Sequence, residues 1–222
     1  MKTLNNVSIR RFTPGDREAL RAIAYETSLL EKPELFVEDR EIVSDALTLY
    51  FTDYEPESCF VADHAGIVVG YLTGTKDSQK MLNIFNSKII WRLLRKAVQR
   101  GLFLKASFLK FAWQVGISML KGEFRMPPYN KRFQALYHIN LAKDYRGGGI
   151  GGRLVKEFER YLTDNHIYSV EVGTMTGAAK DFFEKNGYRI LFKSRRSYLS
   201  HKIREVIPFY VLGKELNTNN LR

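Results

Sequence analysis

The sequence predicts an α+β protein in which helices flank a mixed central sheet, and three observations lead there. Strand-like and helix-like patterns follow one another as β-α-α-β-β, then a long basic segment, then β-α-β-α-β-β. Tight hairpin signals and longer helix-bearing crossovers occur in the same chain, which suits a sheet with both parallel and antiparallel neighbours. Finally, 45% of residues are hydrophobic and 13% aromatic, enough to fill a core and to exclude a disordered chain. The 222 residues are read as one domain, 1–222, carrying residues 76–132 as a helical insertion between the third and fourth strands.

Each element has its own signal. "VSIRRF" (7–12) alternates apolar and polar residues, as a half-buried strand does. In the next segment Thr13 is placed to cap a helix, Pro14 suits its first position, and Leu20, Ile23 and Ala24 form its apolar stripe. A second helix is expected over 40–53. Strands at 58–63 and 67–75 are joined by a tight turn from Asp63 to Gly66. "FQALYHINLA" (133–142) is a strand, "GIGGRLVKEFERYLTDN" a helix, "YSVEVGTM" a strand and "GAAKDFFEKNGY" a short helix ending near Gly187. Two closing antiparallel strands are expected in "YRILFKSRRSYL" and "REVIPFYVLGKE".

Charge and cysteine usage narrow the function classes. The net charge is +11, and residues 76–132 alone account for it, with 13 Lys/Arg against Asp77 and Glu123. Cys59 is the sole cysteine, which rules out a disulfide framework and a cysteine-based zinc site; in "SCFVAD" it reads as a small buried hydrophobe. The opening "MKTLNNVSIRRF" lacks the apolar core of a signal peptide, so a cytoplasmic location is expected.

The densest signal is "DYRGGGIGGRLVKEF" (144–158), with five glycines among six residues between a strand and a helix. Such a turn aims main-chain N–H groups outward, and the helix dipole adds positive potential, so it suits a phosphate. A Walker loop is excluded because Arg153 and Leu154 follow Gly152 in place of Lys and Ser/Thr. The dinucleotide fingerprint matches at Gly147, Gly149 and Gly152, with Glu171 near the place of a ribose-binding acid. Polar "KDYR" nevertheless separates strand from glycine, and the chain beyond the helix reads as hairpin strands. A third pattern, R/Q-x-x-G-x-G/A, is met by Arg146, Gly149 and Gly151.

At this motif the chain resembles the GCN5-related N-acetyltransferase (GNAT) superfamily, across most residues outside 76–132. A second motif supports it: "VEVGTMTGAAKDFFEKNGYRIL" is similar to that family's N-x-x-A-x-x-F-Y-E-K-x-G-F helix. There is a weaker similarity, at His138-Ile139, to free-standing bacterial relatives of the acetyltransferase-like domain of O-GlcNAcase. The resemblance implies a GNAT-like sheet and acetyl-CoA as acetyl donor, with no metal. Main-chain N–H groups of Arg146, Gly147, Gly148, Gly149, Ile150 and Gly151, with Gly152 in the same turn, would cradle the pyrophosphate of coenzyme A. The strand ending at Leu141 would splay from its neighbour, and pantetheine would pair with its open backbone at Ile139 and Leu141. The Leu141 N–H would then stabilise the oxyanion as an amine attacks the thioester directly. Thr176, where the family often carries Asn, joins the cofactor site or caps the short helix.

Two positions depart from the family pattern. Its acid is commonly the Tyr of the F-Y pair, which here is Phe183, and its strand carboxylate is replaced by Asn140. His138 shares a strand face with Asn140, and an unperturbed imidazole titrates near ~6.5, so it is the candidate base as well as a candidate structural residue. Tyr137 points to the other face. Glu171 is read as structural or substrate-facing, and Tyr198 is a further hydroxyl of unassigned position.

The expected activity is transfer of acetyl from acetyl-CoA to a primary amine of a small molecule, or alternatively of a protein. A non-catalytic acyl-CoA-binding module and transfer of a longer acyl chain are the other readings. In the insertion, Lys88, Arg92 and Arg95 fall on one face of a helix over 86–100, with Ile90, Leu93, Leu94, Ala97 and Val98 on another. After Gly101, residues 102–120 are apolar nearly all round apart from Lys105 and Lys110, and "RMPPYN" returns the chain to the sheet. The two helices are expected to lie over the acceptor side. Their charges are either simply solvated or meet an anionic membrane or an acidic partner through 86–120; no nucleic-acid-reading motif is recognised.

Overall fold

The alternating run at the start of the chain forms strand β1 (Val7–Arg11) in a computed structural model that describes residues 6–28, 31, 39–125 and 132–216. The return through "RMPPYN" lies, from Met126 onward, outside the described residues. One tight turn, Pro14–Asp16, precedes helix α1 (Arg17–Glu26). The expected single helix is therefore split. Asp16 causes the split: its carboxylate accepts the Thr13 N–H at 2.8 Å and the Thr13 hydroxyl at 2.9 Å, and Arg10 holds it at 2.7 Å. The Arg10 contact, with Thr13, lowers its pKa to about 2. Helix α2 (Arg40–Tyr54) is capped by Asp39, which accepts the Ile42 N–H at 3.1 Å.

Strands β2 (Cys59–His64) and β3 (Ile67–Thr75) form the expected hairpin. Gly66 takes the left-handed conformation its turn requires (φ 84°) and donates to Asp63 at 2.7 Å. Cys59 is fully buried, and desolvation pushes its thiol pKa up, as for a packing residue.

The insertion holds helices α3 (Ser78–Ile84), α4 (Ile90–Gln99) and α5 (Ala106–Leu120), with a wide π turn at Phe85–Ile89 ahead of α4. Gly101 breaks the run, as expected, at φ 65°. Then come β4 (Ala135–Leu141), α6 (Ile150–Asp164), β5 (Ser169–Thr174), α7 (Gly177–Lys185) and β6 (Arg189–Arg196). A short helix α8 (Ser200–Ile203), not anticipated from sequence, leads into β7 (Ile207–Glu215).

Among the described residues the seven strands run in the order β1-β2-β3-β4-β5-β7-β6, antiparallel except for β4 beside β5. Alternation sorts β4 between two apolar layers. Ala135, Tyr137, Ile139 and Leu141 join the layer under α6, whereas Leu136 joins the layer of α1, α2 and α4. Helix α6 buries Ile150, Leu154, Val155, Phe158 and Leu162 against that first face. Each such side chain contributes about 1.5–3 kcal/mol, which is why the helix seats firmly behind the glycine turn.

Helix α4 covers only part of the apolar face that its periodicity marks. Only Leu93 and Ala97 of its apolar side are buried, while Leu94 and Val98 face outward beside Trp91. Its cations explain the orientation: Lys96 bonds Asp45 at 2.6 Å, Arg100 bonds Asp39, and Arg92 lies 3.7 Å from Asp53, all on or capping α2. Arg21 of α1 also bonds Asp45, so three helices meet at one carboxylate.

Candidate active site

The site begins where β4 leaves its parallel neighbour. β4 and β5 pair only at Ala135–Val170 and Leu136–Glu171, after which no register joins them. Just beyond β4, the Ala142 N–H donates to the Val69 carbonyl of β3 at 2.9 Å. Backbone groups alternate along a strand, so the N–H groups of Leu141 and Ile139 point the other way, toward the β5 side. Two main-chain amides thus face the gap between diverging strands.

The glycine turn lies at the end of that gap. A tight turn at Lys143–Tyr145 precedes it, held by a 2.9 Å contact between the Tyr145 hydroxyl and His64 Nδ1. Gly147 and Gly149 adopt φ of 79° and 78°, and a Cβ at either would meet no protein atom within 4 Å. Their backbone requires glycine, and the space beside them is open to a ligand. Gly151 serves packing instead, since a Cβ there would lie 3.2 Å from Phe182 of α7. The first backbone bond of α6 runs from Arg153 to the Gly149 carbonyl at 3.2 Å, which leaves the N–H groups of Ile150, Gly151 and Gly152 as helix-end donors. Arg146 braces the turn: its N–H reaches the Lys143 carbonyl at 3.3 Å, its Nε the Leu141 carbonyl at 3.1 Å, and its guanidinium pairs with Glu31. The set of outward amides therefore starts at Gly147. Gly148 lies within the same turn. The Thr176 hydroxyl accepts the Ala179 N–H at 3.2 Å and caps α7.

The titratable groups gather on the opposite face. His138 is solvent-exposed, and Phe51 of α2 meets its ring edge-on at 5.9 Å. Desolvation lowers its pKa from the usual histidine value. Asn140 donates to the Tyr71 hydroxyl at 2.8 Å. Phe183 is buried in the α6 layer among Tyr137 and Tyr188 and brings no hydroxyl. The Tyr198 hydroxyl reaches the Met175 sulfur at 3.8 Å, within a separate small cluster.

Glu171, read from sequence as structural or substrate-facing, lies on the neighbouring strand β5. Its register partner on β4 is Leu136, so its side chain shares the face of Leu136, His138 and Asn140. It is only 7% exposed, its Oε2 has no hydrogen-bond partner among the described residues, and desolvation pushes its pKa up to about 7. No group of metal-ligating side chains occurs among the described residues.

Residues 115–190 match the family model of the acetyltransferase (GNAT) domain. The whole chain is similar in structure to SsHAT, with TM-score 0.69 and 22% identity over 95% of this chain and 98% of that one. This is the GNAT fold. The polyamine N-acetyltransferase of Drosophila melanogaster, which forms N-acetylagmatine, aligns with TM-score 0.58 and 14% identity over 95% of this chain and 100% of its own. The yncA protein of Salmonella typhimurium, solved with its cofactor acetyl-CoA, aligns with TM-score 0.58 and 11% identity over 98% of both chains. No curated protein sequence matches this chain. The family match covers residues 115–190, and acetyl-CoA is the cofactor found with the yncA protein. The glycine turn and the open edge of β4 fit such a donor, offering helix-end amides for phosphates and strand amides for an amide-bearing arm.

Proposed function

We propose that the protein transfers acetyl from acetyl-CoA directly to a primary amine of a small molecule, in the cytoplasm. The observation that carries this reading is the pairing of β4 with β5 at two positions only, with the Ile139 and Leu141 amides turned toward the resulting gap. In this reading Gly147, Gly148, Gly149, Ile150, Gly151 and Gly152 hold the pyrophosphate through main-chain N–H groups, with Arg146 bracing the turn. Ile139 and Leu141 hold the pantetheine arm. The Leu141 N–H donates to the thioester carbonyl and stabilises the tetrahedral oxyanion.

An ammonium group must lose a proton before it attacks. Glu171 and His138 share the face across which an acceptor approaches, and both are suited to act as base near neutral pH: Glu171 by its raised pKa, His138 by its lowered pKa. Glu171, when ionised, also attracts the cationic amine before transfer. The amine nitrogen bonds to the acetyl carbon, the carbon–sulfur bond breaks, and coenzyme A leaves as the thiol once protonated. The His138-Ile139 likeness to relatives of the O-GlcNAcase acetyltransferase-like domain belongs to this reading as well, with Asn140 in place of their carboxylate.

Phe183 and Asn140, which carry no titrating group, favour a second reading: an acyl-CoA-binding module without turnover. Thiol release from acetyl-CoA across a panel of polyamines, aminoalkyl compounds and N-terminal peptides separates the two. The proposal predicts release with one class of small amine. Saturable acetyl-CoA binding with no release across the panel establishes the module instead.

A further inference from the structure

We propose that the helices of the insertion form a docking surface for an anionic lipid membrane. From Asn86 to Gly122 the chain contains no Asp or Glu, while Lys88, Arg92, Arg95, Lys96, Arg100, Lys105, Lys110 and Lys121 fall within it. A solvated helical face would ordinarily carry mixed charge. This one instead presents apolar side chains to solvent in helical register. On α4, Trp91, Leu94 and Val98 occupy one outward stripe, with Trp91 64% exposed. On α5, Leu109, Trp113 and Leu120 form a second stripe, with Trp113 70% and Leu120 89% exposed.

Folding leaves these stripes outward because both helices already spend their inner faces. α4 turns Leu93 and Ala97 inward and ties Lys96 and Arg100 to α2, whereas α5 turns Phe111 and Val115 toward Tyr198 and Leu199. The remaining cations, including exposed Arg95, Lys105 and Lys110, lie beside the apolar stripes. Tryptophan and leucine flanked by Lys and Arg is the pattern that seats a helix in the headgroup layer of anionic lipid, the rings entering the acyl boundary and the cations meeting phosphates. Acidic soluble polymers would engage the charge but give the tryptophans no apolar phase. A second copy of the chain would set like-charged segments against each other. Neither α4 nor α5 spans the bilayer: among the described residues no helix is long and apolar enough to cross a membrane.

The tryptophans supply the readout, because Trp91 and Trp113 are the two in the chain. The full-length protein is mixed with vesicles of phosphatidylcholine alone or with one quarter phosphatidylglycerol, and emission, iodide quenching and cosedimentation are recorded. Anionic vesicles should blue-shift the emission, shield it from iodide and carry the protein down. Raising salt from 50 to 500 mM should weaken binding about tenfold or more. Trp113→Ser with Leu120→Ser, both exposed and outside the acetyl-transfer site, should weaken vesicle binding about tenfold with unchanged thermal stability. Three results overturn the proposal. One is the absence of blue shift and sedimentation with anionic vesicles at low salt. Another is a blue shift that tracks protein concentration without lipid, which assigns the surface to self-association. The last is binding to heparin and anionic vesicles alike with no change in emission, which assigns it to charge alone.

Discussion

At Glu171 a carboxyl group with one oxygen unpartnered among the described residues lies on the same sheet face as an exposed histidine, and its raised pKa follows from burial. Its pKa, lifted from an ordinary 4.5 to about 7, makes it a group that changes charge near neutrality. If it takes the proton from the amine, acetyl transfer should rise through pH 7 and level off above it. Glu171→Gln should lower kcat/KM about 10²–10⁴-fold at pH 8 and remove that inflection. His138 titrates below the usual histidine value, so His138→Ala should leave an inflection near pH 7 in place. An inflection below 6.5 that disappears in His138→Ala would instead assign the base to histidine. Stability gives an independent readout. The folded chain retains a proton that the unfolded chain has lost between pH 4.5 and 7, so this group lowers stability as pH rises across that range. Glu171→Gln should therefore be more stable than the parent at pH 8, by about 3 kcal/mol at most, and closely matched at pH 4. The sequence shows Glu171 as an acid on a strand, and its apolar surroundings are a tertiary property that no local pattern carries. The glycine turn, by contrast, is readable residue by residue, since its left-handed backbone at Gly147 and Gly149 is a local requirement.

At the scale of elements, hydrophobic periodicity locates α4 and α6 but does not say which half of an apolar stripe will be covered. For α6 the answer is simple, because its stripe meets the open face of the sheet. For α4 the decision lies with Asp45, 2% exposed, which binds Arg21 and Lys96 together. Burial opposes its ionisation, yet those two cations hold its pKa below the ordinary carboxylate value. Asp45→Ala would leave Arg21 buried without its carboxylate, and urea unfolding should report a loss of about 3–5 kcal/mol. A loss below about 1 kcal/mol would show that apolar packing alone seats α4 on α2. The split of the first helix at Asp16 has the same origin: one carboxylate gathers Arg10 and Thr13 and reshapes the turn, which spacing alone does not reveal.

For the molecule as a whole, alternating strands and helices announce the fold class, and the two motifs carry its resemblance to the acetyltransferase (GNAT) domain matched over residues 115–190. The placing of β7 between β5 and β6 depends on pairing between distant segments and is read only from the structure. That order matters to function. β7 covers the far edge of β5 along Ser169–Thr174, while β4 pairs with β5 at only two positions, so the sheet opens on the side that leads to the glycine turn. The measurement that bears most directly on this account is residue-resolved amide hydrogen exchange with and without saturating acetyl-CoA. Slowed exchange at Ile139, Leu141 and Gly147 through Gly152 is the predicted result. Saturation that leaves those amides unchanged, with protection elsewhere, would contradict it.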